Sequence, residues 1–241
     1  IMKTQLALSK LKQLPGFYLL RSLTKELQRK RVSLAALIVP CLILIYALLR
    51  IWNAPSYCLW VDEVYSLQFA RESWNRLIDV VADDIVHPPF FYMVLKGWIA
   101  VGGENLTWLR LFPILWSVAA IAPFLGLCRQ LELKPAQRNL ALFLLAINAF
   151  LIHYAQELRM YSMLQFISLS SLYLFVRYVQ TPKAERWLTL SLFAVNLLLV
   201  YTHYYGWLVL GTEVLYVLIF HPVKRVPFSL SVALVGVLYI P

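Results

Sequence analysis

Two adjacent acidic residues, Asp62 and Glu63, stand just after the first long apolar segment of the chain. Repulsion between neighbouring carboxylates favours a proton on one of them, and partial burial adds to this effect. Such a pair can act as a general base or help to hold a divalent cation. The alternative is that Asp62 caps the N-terminus of the helix that follows it. Considered by themselves, the residues favour the cap.

A second polar segment runs from Asp83 to Pro89 and places His87 directly before two prolines. Proline restricts the preceding residue to extended geometry and is favoured in the first turn of a helix. His87 is therefore presented from a rigid segment, where its imidazole could bind a phosphate or relay a proton. A proline-rich helix start with an incidental histidine explains the same pattern equally well.

The densest polar cluster lies between two apolar segments, from His153 to Tyr161. His153 and Glu157 are four residues apart, so they would share a helix face, and Arg159 follows closely. The alternative is an interfacial turn, in which tyrosines lie among lipid headgroups and the arginine extends toward water. We favour a functional role for this cluster.

Two residues farther along the chain are weaker candidates. His203 lies among tyrosines whose anchoring at the membrane interface explains most of the segment. Glu213 falls near the middle of an apolar segment, where an ionisable side chain is costly and suggests function by default. We expect Glu213 instead to be a neutral acid buried against a neighbouring helix.

The elements that must position these residues are membrane helices. Hydrophobic residues make up 61% of the 241 positions and charged residues only 14%, which lies outside the usual range of soluble proteins. We predict an all-α fold, a polytopic transmembrane helical bundle of about seven spans. The expected spans are residues 33–52, 109–128, 139–154, 160–179, 188–203, 206–221 and 228 to the end.

The net charge of +10 does not indicate nucleic acid as a partner, because the basic residues form short runs beside apolar segments. That pattern sets the orientation of a membrane protein. Residues 1–32 are predicted to be a basic cytoplasmic segment, and the apolar run that follows is too long for a signal peptide. Cys41, Cys58 and Cys128 show no metal-ligand or disulfide spacing, so we expect them to be packing residues.

One apolar run, from Pro89 to Val101, is short and carries Lys96 in its middle. If this run crossed the membrane, the basic loops near residues 129–138 and 177–186 would lie outside, against the positive-inside rule. We therefore expect an interfacial helix here. Residues 53–108 then form the first extracytoplasmic loop, which holds every aspartate of the chain. Within it, helical spacing predicts one amphipathic helix from Leu67, Ala70, Trp74, Leu77, Ile78 and Val81.

Taken in order, these motifs resemble the GT-C superfamily of membrane glycosyltransferases. The similar branch contains the protein O-mannosyltransferases and the lipid A aminoarabinose transferase, glycosyltransferase families 39 and 83. The resemblance extends from about residue 50 to about residue 210 and rests on four segments. These are Asp62-Glu63, then His87-Pro88-Pro89 with Phe90-Phe91-Tyr92, then Gly103 to Arg110, and Gln156 to Tyr161.

The resemblance implies a sugar donor linked to a polyprenyl phosphate and a lipid, glycan or protein acceptor. Transfer would occur on the outer face of a bacterial plasma membrane or in the lumen of the endoplasmic reticulum. The resemblance makes Asp62 the catalytic base, with Glu63 beside it, and makes Glu157 a second catalytic acid. Asp62 and Glu157 would also bind a divalent metal ion, Mg²⁺ or Mn²⁺. The implied substrate-binding residues are His87, Lys96, Gln156, Arg159, Tyr161 and His203.

The resemblance also implies that residues 33–241 form a GT-C-like module that lacks a C-terminal part, because family members continue with further spans. Two other classes of protein stay open. A transporter or lipid flippase would also combine several spans with an intramembrane acid such as Glu213, although the paired interrupted helices of a repeat are not evident. A noncatalytic membrane subunit would tolerate replacement of Asp62 and Glu157.

Overall fold

The computed structural model describes residues 36–84, 87–182 and 185–239. These residues are mostly helical and include no strand, which confirms an all-α fold for this part of the chain. The basic segment 1–32, the residues Ile85 and Val86, and Lys183 lie outside the described residues, as does the side chain of Asp84. Predictions that depend on them are not addressed by the structure.

The chain divides into two compact units, residues 1–44 and residues 45–241. In the first unit, the described residues 36–44 are helical. Helix α1 covers residues 36–51, and its last seven residues belong to the second unit. The packing and the candidate site belong to residues 45–239 of the second unit.

The helices of the second unit follow one another with short connections. After α1 come α2 (Val61–Arg71), α3 (Trp74–Asp84), α4 (Phe90–Gly102), α5 (Leu106–Ala119), α6 (Ile121–Gln130), α7 (Pro135–Ile147), α8 (Ala149–Ala155), α9 (Tyr161–Gln180), α10 (Arg186–Thr202), α11 (Gly206–Phe220) and α12 (Arg225–Leu238). Short 3-10 helices occupy Ala54–Ser56 and Pro222–Lys224.

Three helical stretches among the described residues are long and apolar enough to cross a membrane. They are Ala36–Ser56, Leu106–Gln130, which includes α5 and α6, and Tyr161–Gln180. The pair α7 and α8 satisfies the same criteria as one span that is bent by 58°. Helices α4, α10 and α11 are apolar but shorter. The helix bounds thus lie within a few residues of the predicted spans, while the count of about seven stays a prediction.

The bend between α7 and α8 is stabilised from both sides. Asn148 has extended backbone geometry, and its Oδ1 accepts from the Leu151 N–H at 3.0 Å, so it caps the start of α8. Arg50 of α1 is fully buried and donates to the carbonyls of Leu145 and Ala146 at 3.2 and 3.3 Å. A cation therefore satisfies the last carbonyls of α7, where the helix dipole favours positive charge.

The single amphipathic helix predicted across residues 67–81 is wrong, because the structure has two helices there. Helix α2 ends at Arg71, and α3 begins at Trp74. The Ser73 hydroxyl accepts from the Arg76 N–H at 3.3 Å and so starts a new helix. Helical spacing of apolar residues continues across the break, which explains why the pattern predicts one helix.

Helices α4 and α5 are joined by two stacked indoles. The rings of Trp98 and Trp108 have centroids 4.1 Å apart, and each indole N–H donates to the backbone carbonyl of the other residue, at 2.9 and 3.1 Å. Gly102 makes this arrangement possible, because a Cβ atom there would overlap the Trp108 ring. Gly103 then ends α4 with a φ of 76°.

The main hydrophobic core lies beneath the turn that joins α8 to α9. Leu158 and Met160 of this turn are fully buried in it. The other buried members come from α2 to α5 and from α9 to α12: Leu67, Ala70, Leu77, Val81, Phe91, Tyr92, Leu95, Leu109, Phe112, Met163, Ile167, Leu199, Val200, Leu210 and Val235. The turn is therefore supported by most of the bundle.

Candidate functional site

The turn of residues 156–160 holds two charged candidates in fixed positions. Glu157 and Arg159 alternate with Leu158 and Met160, whose side chains point into the main core. The Arg159 N–H donates to the Glu157 carbonyl at 2.7 Å, which closes a tight turn. Because the two apolar residues anchor the turn, Glu157 and Arg159 are each only 5% exposed.

Glu63 connects this turn to the start of α2. Its carboxylate is 1% exposed and forms a salt bridge with Arg110 of α5. It also accepts from the N–H of Leu158 at 2.6 Å and from the N–H of Trp60 at 3.0 Å. Since fixed donors occupy both carboxylate oxygens, we infer that Glu63 positions the site, in contrast to the catalytic role predicted for it.

Asp62 lies in the first turn of α2 but does not cap the helix. The N-cap position is Trp60, and the side chain that reaches back to its N–H is that of Glu63. The cap alternative for Asp62 is therefore wrong. Its carboxylate is half-buried and accepts no hydrogen bond within the described ranges, whereas its carbonyl accepts from Arg159 Nη1 at 3.2 Å. Asp62 thus adjoins Arg159 with its carboxylate available.

Arg159 is a buried cation that forms no salt bridge within the part of the chain that the structure describes. Nη1 donates to Ser66 Oγ at 3.1 Å, and Nη2 lies 3.0 Å from His87 Nε2. Nε is also buried, and it has no partner in the described ranges. Because a guanidinium only donates, His87 Nε2 accepts, and a neutral His87 then carries its proton on Nδ1.

His203 follows α10 and lies close to His87, with ring centroids 6.4 Å apart. Its Nδ1 accepts from the Tyr205 N–H at 3.1 Å, which places the proton of the neutral ring on Nε2. Burial lowers the pKa of His203, and the neighbouring His87 and Arg159 lower it further. His203 is therefore an uncharged donor beside a charged arginine.

A cavity of about 700 Å³ opens beside His87, and we call it the apolar cavity. Its walls come from α3, from the start of α4, from the end of α10 and from Tyr239. Besides His87, the lining residues are Ile78, Val81, Ala82, Pro88, Pro89, Phe90, Met93, Leu197, Leu198, Tyr201, Tyr204 and Tyr239. The lining suits a hydrocarbon chain with a polar group at one end.

A second cavity, of about 520 Å³, lies on the side of Glu157, and we call it the acidic cavity. Its lining residues are Ala54, Tyr57, Cys58, Trp60, Glu63, Arg110, His153, Gln156 and Glu157. His153 and Glu157 both line it, but α8 ends at Ala155, so the prediction that they share a helix face is wrong. The turn, and not a helix, brings them to one cavity.

Glu157, which lines this cavity, has one carboxylate oxygen without a partner among the described residues. Its Oε2 is buried and accepts no hydrogen bond from any described residue. Burial raises the pKa of Glu157, and the charge of Glu63 adds to this, whereas His153, a hydrogen bond with Trp60 and the charge of Arg159 oppose it. Buried polar atoms are nearly always paired, so this oxygen marks a place where a ligand hydroxyl or amine can donate.

Lys96 is engaged away from the Arg159 side chain. Its Nζ donates to the carbonyl of Ala70 at 3.3 Å and to that of Glu72, at the end of α2. The ammonium also lies 5.3 Å from the centre of the Trp74 ring. These contacts make Lys96 a cap for α2, where the helix dipole favours a cation. They give no support to its predicted role in binding a phosphate.

Gln156 and Tyr161 support the turn from its two ends. Gln156 Nε2 donates to the carbonyls of Arg50 and Trp52 at 3.0 and 2.9 Å, so it joins the turn to the end of α1. The Tyr161 ring lies 6.3 Å from the His203 ring, measured between centroids. Tyr161 therefore lies beside His203, whereas Gln156 lines the acidic cavity.

The described residues give the predicted metal site at Asp62 and Glu157 no third protein donor. In the described ranges, no group of three or more His, Cys, Asp or Glu side chains could hold a metal ion. The nearest additional carboxylate along the chain, Glu63, is occupied by Arg110. Because Mg²⁺ can be held by one or two carboxylates together with substrate phosphates, a metal ion at Asp62 and Glu157 stays a prediction.

Two arginines that carry much of this geometry were not singled out from the sequence. Arg110 donates to Glu63 and to the carbonyls of Tyr57, Cys58 and Gln156. Arg50 supports the bend between α7 and α8. The available signal for Arg50 was a charge inside an apolar segment, and that for Arg110 was its place at the end of the Gly103 to Arg110 motif.

Comparison with known proteins does not identify a relative, because no family model, no curated protein and no solved structure matches the chain.

Proposed function

We propose that this protein is a membrane glycosyltransferase of the GT-C type, which moves a sugar from a polyprenyl-phosphate-linked donor to an acceptor hydroxyl. The observation that carries the proposal is the environment of Arg159. This buried guanidinium has no salt bridge within the described residues and contacts His87 at the wall of the apolar cavity. A lipid with an anionic headgroup suits such a site, because its chain needs apolar surface and its phosphate needs charged donors.

In this proposal the polyprenyl chain lies in the apolar cavity and the phosphate lies at Arg159. The guanidinium has an Nε without a partner in the described part of the chain, and His203 can add the neutral Nε2 donor. Fixed donors near the departing phosphate stabilise the negative charge that develops on it. Arg159, held by Ser66 and by the core beneath the turn, is preorganised for this task.

Asp62 is the proposed base. The acceptor oxygen forms a bond to the anomeric carbon of the sugar, and the bond from that carbon to the phosphate oxygen breaks. The hydroxyl proton passes to the Asp62 carboxylate, and the polyprenyl phosphate leaves with the electron pair. Glu157 receives a hydrogen bond from the acceptor in the acidic cavity and orients it.

The proposed arrangement in the membrane has about seven spans, a cytoplasmic N-terminus and the site on the extracytoplasmic face. The three long apolar stretches and the bent pair of α7 and α8 support a membrane location. The shorter helices α10, α11 and α12 would cross with them, and α4 would lie in the interface. A bacterial plasma membrane is the proposed setting.

The test uses the full chain in membranes supplied with a series of polyprenyl-phosphate sugars, and it follows transfer to lipid, glycan and peptide acceptors. The parent is compared with Asp62→Asn and Glu157→Gln. We expect loss of kcat in Asp62→Asn, because the base is removed, and a raised acceptor KM in Glu157→Gln. Asp79→Asn is the matched control, since Asp79 is exposed on α3.

Retention of full transfer by both site variants would overturn the proposed function. Binding provides an independent measurement that does not need the acceptor to be known. The parent protein should bind polyprenyl phosphate in vesicles, and it should not bind uncharged polyprenol in matched vesicles. Equal binding of the two lipids would show that Arg159 does not recognise the phosphate.

A further inference from the structure

Three polar side chains from three helices meet inside the bundle, away from the proposed site. Glu213 of α11 is 1% exposed, Ser171 of α9 is fully buried, and Asn196 of α10 is 2% exposed. Ser171 Oγ lies 2.5 Å from Asn196 Oδ1 and 2.7 Å from Glu213 Oε1, and Asn196 Nδ2 lies 3.0 Å from Glu213 Oε2. Each residue therefore touches the other two, and the three contacts close a ring.

Three contacts of hydrogen-bond length need three protons. The Ser171 hydroxyl supplies one, and the Asn196 amide supplies one toward Glu213. An ionised Glu213 supplies none. The single Ser171 proton can lie toward Asn196 Oδ1 or toward Glu213 Oε1, so Ser171 Oγ would meet the other oxygen with no proton between them. Two acceptors at 2.5 or 2.7 Å in a buried site repel each other.

Exchanging the oxygen and nitrogen of the Asn196 amide does not remove the conflict. Asn196 would then donate to Ser171 and Ser171 to Glu213, but Asn196 oxygen would face Glu213 Oε2 without a proton between them. A proton on Glu213 removes the contact between two acceptors. Glu213 then donates to Ser171, Ser171 donates to Asn196, and Asn196 donates to Glu213.

Among the described residues, no neighbouring cation balances the charge of an ionised Glu213. Glu213 forms no salt bridge with any described residue. Helices α9, α10 and α12 pack against α11, together with the 3-10 helix at Pro222–Lys224. Their cations are engaged elsewhere or lie at helix ends: the Arg177 guanidinium covers Tyr173, Lys224 Nζ donates to the carbonyls of Tyr178, Val179 and Thr181, and Arg186 and Arg225 begin α10 and α12.

We propose that Glu213 is a proton-binding site, and that its bound proton closes a ring of three hydrogen bonds that fastens α10 and α11 to α9. The connection between α10 and α11 contains His203, and the end of α10 forms a wall of the apolar cavity. The proton therefore fixes the helix pair on which that wall is built. This inference does not depend on the proposed transferase activity.

Infrared spectroscopy of the full chain in membranes tests the proposal directly. A neutral carboxyl has a carbonyl stretch that is separate from the bands of ionised carboxylates. We expect such a band in the parent at neutral pH and its loss in Glu213→Gln. The Gln side chain can donate to Ser171 and accept from Asn196, so this variant should stay folded. Glu104→Gln is the control, because Glu104 is exposed and ion-paired with Arg71.

A serine pair provides the second measurement. Ser171→Ala removes one member of the ring, so it should shift the carbonyl band and lower the thermal stability. Its neighbour Ser170 donates to the Phe166 carbonyl within α9, at 2.8 Å, and Ser170→Ala should leave the band in place. The proposal is overturned if the parent shows no band that Glu213→Gln removes, or if both serine variants leave the band unchanged.

Discussion

Glu63 and Arg110 form a buried ion pair between residues that are 47 positions apart in the sequence. The pair joins the start of α2 to α5, and through Leu158 it reaches the turn that carries Glu157 and Arg159. The ion pair therefore lines the acidic cavity and also supports the turn that carries Arg159. The Glu63–Arg110 ion pair has no part in the proposed proton or phosphate chemistry. Its contribution can therefore be tested through the free energy of unfolding alone.

We expect Arg110→Met to destabilise the folded protein by about 3–5 kcal/mol, because it leaves the Glu63 carboxylate buried without its counter-charge. Reversible unfolding in detergent, or the midpoint of thermal unfolding, measures the loss. Arg71→Met is the matched control, since it breaks an ion pair whose members are 54% and 36% exposed. The control should lose about 1 kcal/mol or less. Equal losses would contradict the buried support.

Arg159→Met should weaken the binding of polyprenyl phosphate by about tenfold to a hundredfold, the range expected for losing a hydrogen bond to a charged group. Binding to lipid vesicles of graded polyprenyl-phosphate content measures the change. Lys96→Met is the control, because Lys96 caps α2 and is engaged with Ala70 and Glu72. If the Lys96 variant lost as much binding as the Arg159 variant, Lys96 would regain its predicted role.

The stability of the protein should fall as the pH rises through the raised pKa of Glu157. Burial raises this pKa above the ordinary value of 4.5, so the folded chain holds a proton that the unfolded chain has lost. The contribution is fully present below the ordinary value and disappears as the pH rises. Glu157→Gln should remove that part of the pH dependence of the unfolding free energy. An unchanged slope would contradict the burial of this carboxyl.

His203 should produce a dependence of opposite sign. Its pKa is lowered from 6.5 by burial, so the unfolded chain binds a proton that the folded chain does not. Its contribution is present above the ordinary value and is lost as the pH falls. His203→Gln should flatten the stability curve on the acid side of pH 6.5, measured in the same unfolding experiment.

Two glycines of α4 should respond oppositely to the same change. Gly102→Ala places a Cβ atom into the ring of Trp108, so we expect loss of the indole stack and lower thermal stability. Gly97→Ala meets open space and should stabilise the helix by about 0.5–1 kcal/mol. Tryptophan fluorescence reports the Trp98–Trp108 contact in both variants. Equal changes in thermal stability and fluorescence in the two variants would contradict the packing of α4 on α5.

The proposed topology places Asp83 and Lys134 on opposite sides of the membrane. Single cysteines at these positions, in a chain whose native cysteines are replaced, should react with an impermeant maleimide from opposite sides. Asp83 lies near the end of α3, and Lys134 precedes α7. Reaction of both from the same side would overturn the arrangement in which α4 does not cross.

The helices could be located from the sequence because span hydropathy is a local property. Predicted and observed ends of α9 differ by a single residue at each end, Tyr161 and Gln180 against 160 and 179. The break between α2 and α3 was missed, since it depends on a serine hydroxyl and on a lysine from α4. The spacing of apolar residues carries no information about either of these contacts.

The residues of the candidate site were predictable by type, but their roles were not. His87 and Arg159 were both candidates for a phosphate, and the structure brings them into contact across 72 positions. Glu63 and Asp62 are adjacent in sequence, yet one is buried against Arg110 and the other is half-buried without a side-chain partner among the described residues. That division depends on Arg110, whose approach to Glu63 is a tertiary contact.

Arg50 has a consequence for how the chain is made. Its hydrogen-bond partners Ser117 and Leu145 follow it by 67 and 95 residues, so they do not yet exist when a ribosome delivers the first apolar helix to a bilayer. Until they arrive, the described structure offers the guanidinium one acceptor in its own helix, the carbonyl of Tyr46, so its other donors need water or lipid headgroups. Residues 45–51 of the first helix therefore reach their final packing only after α5 and α7 have been made.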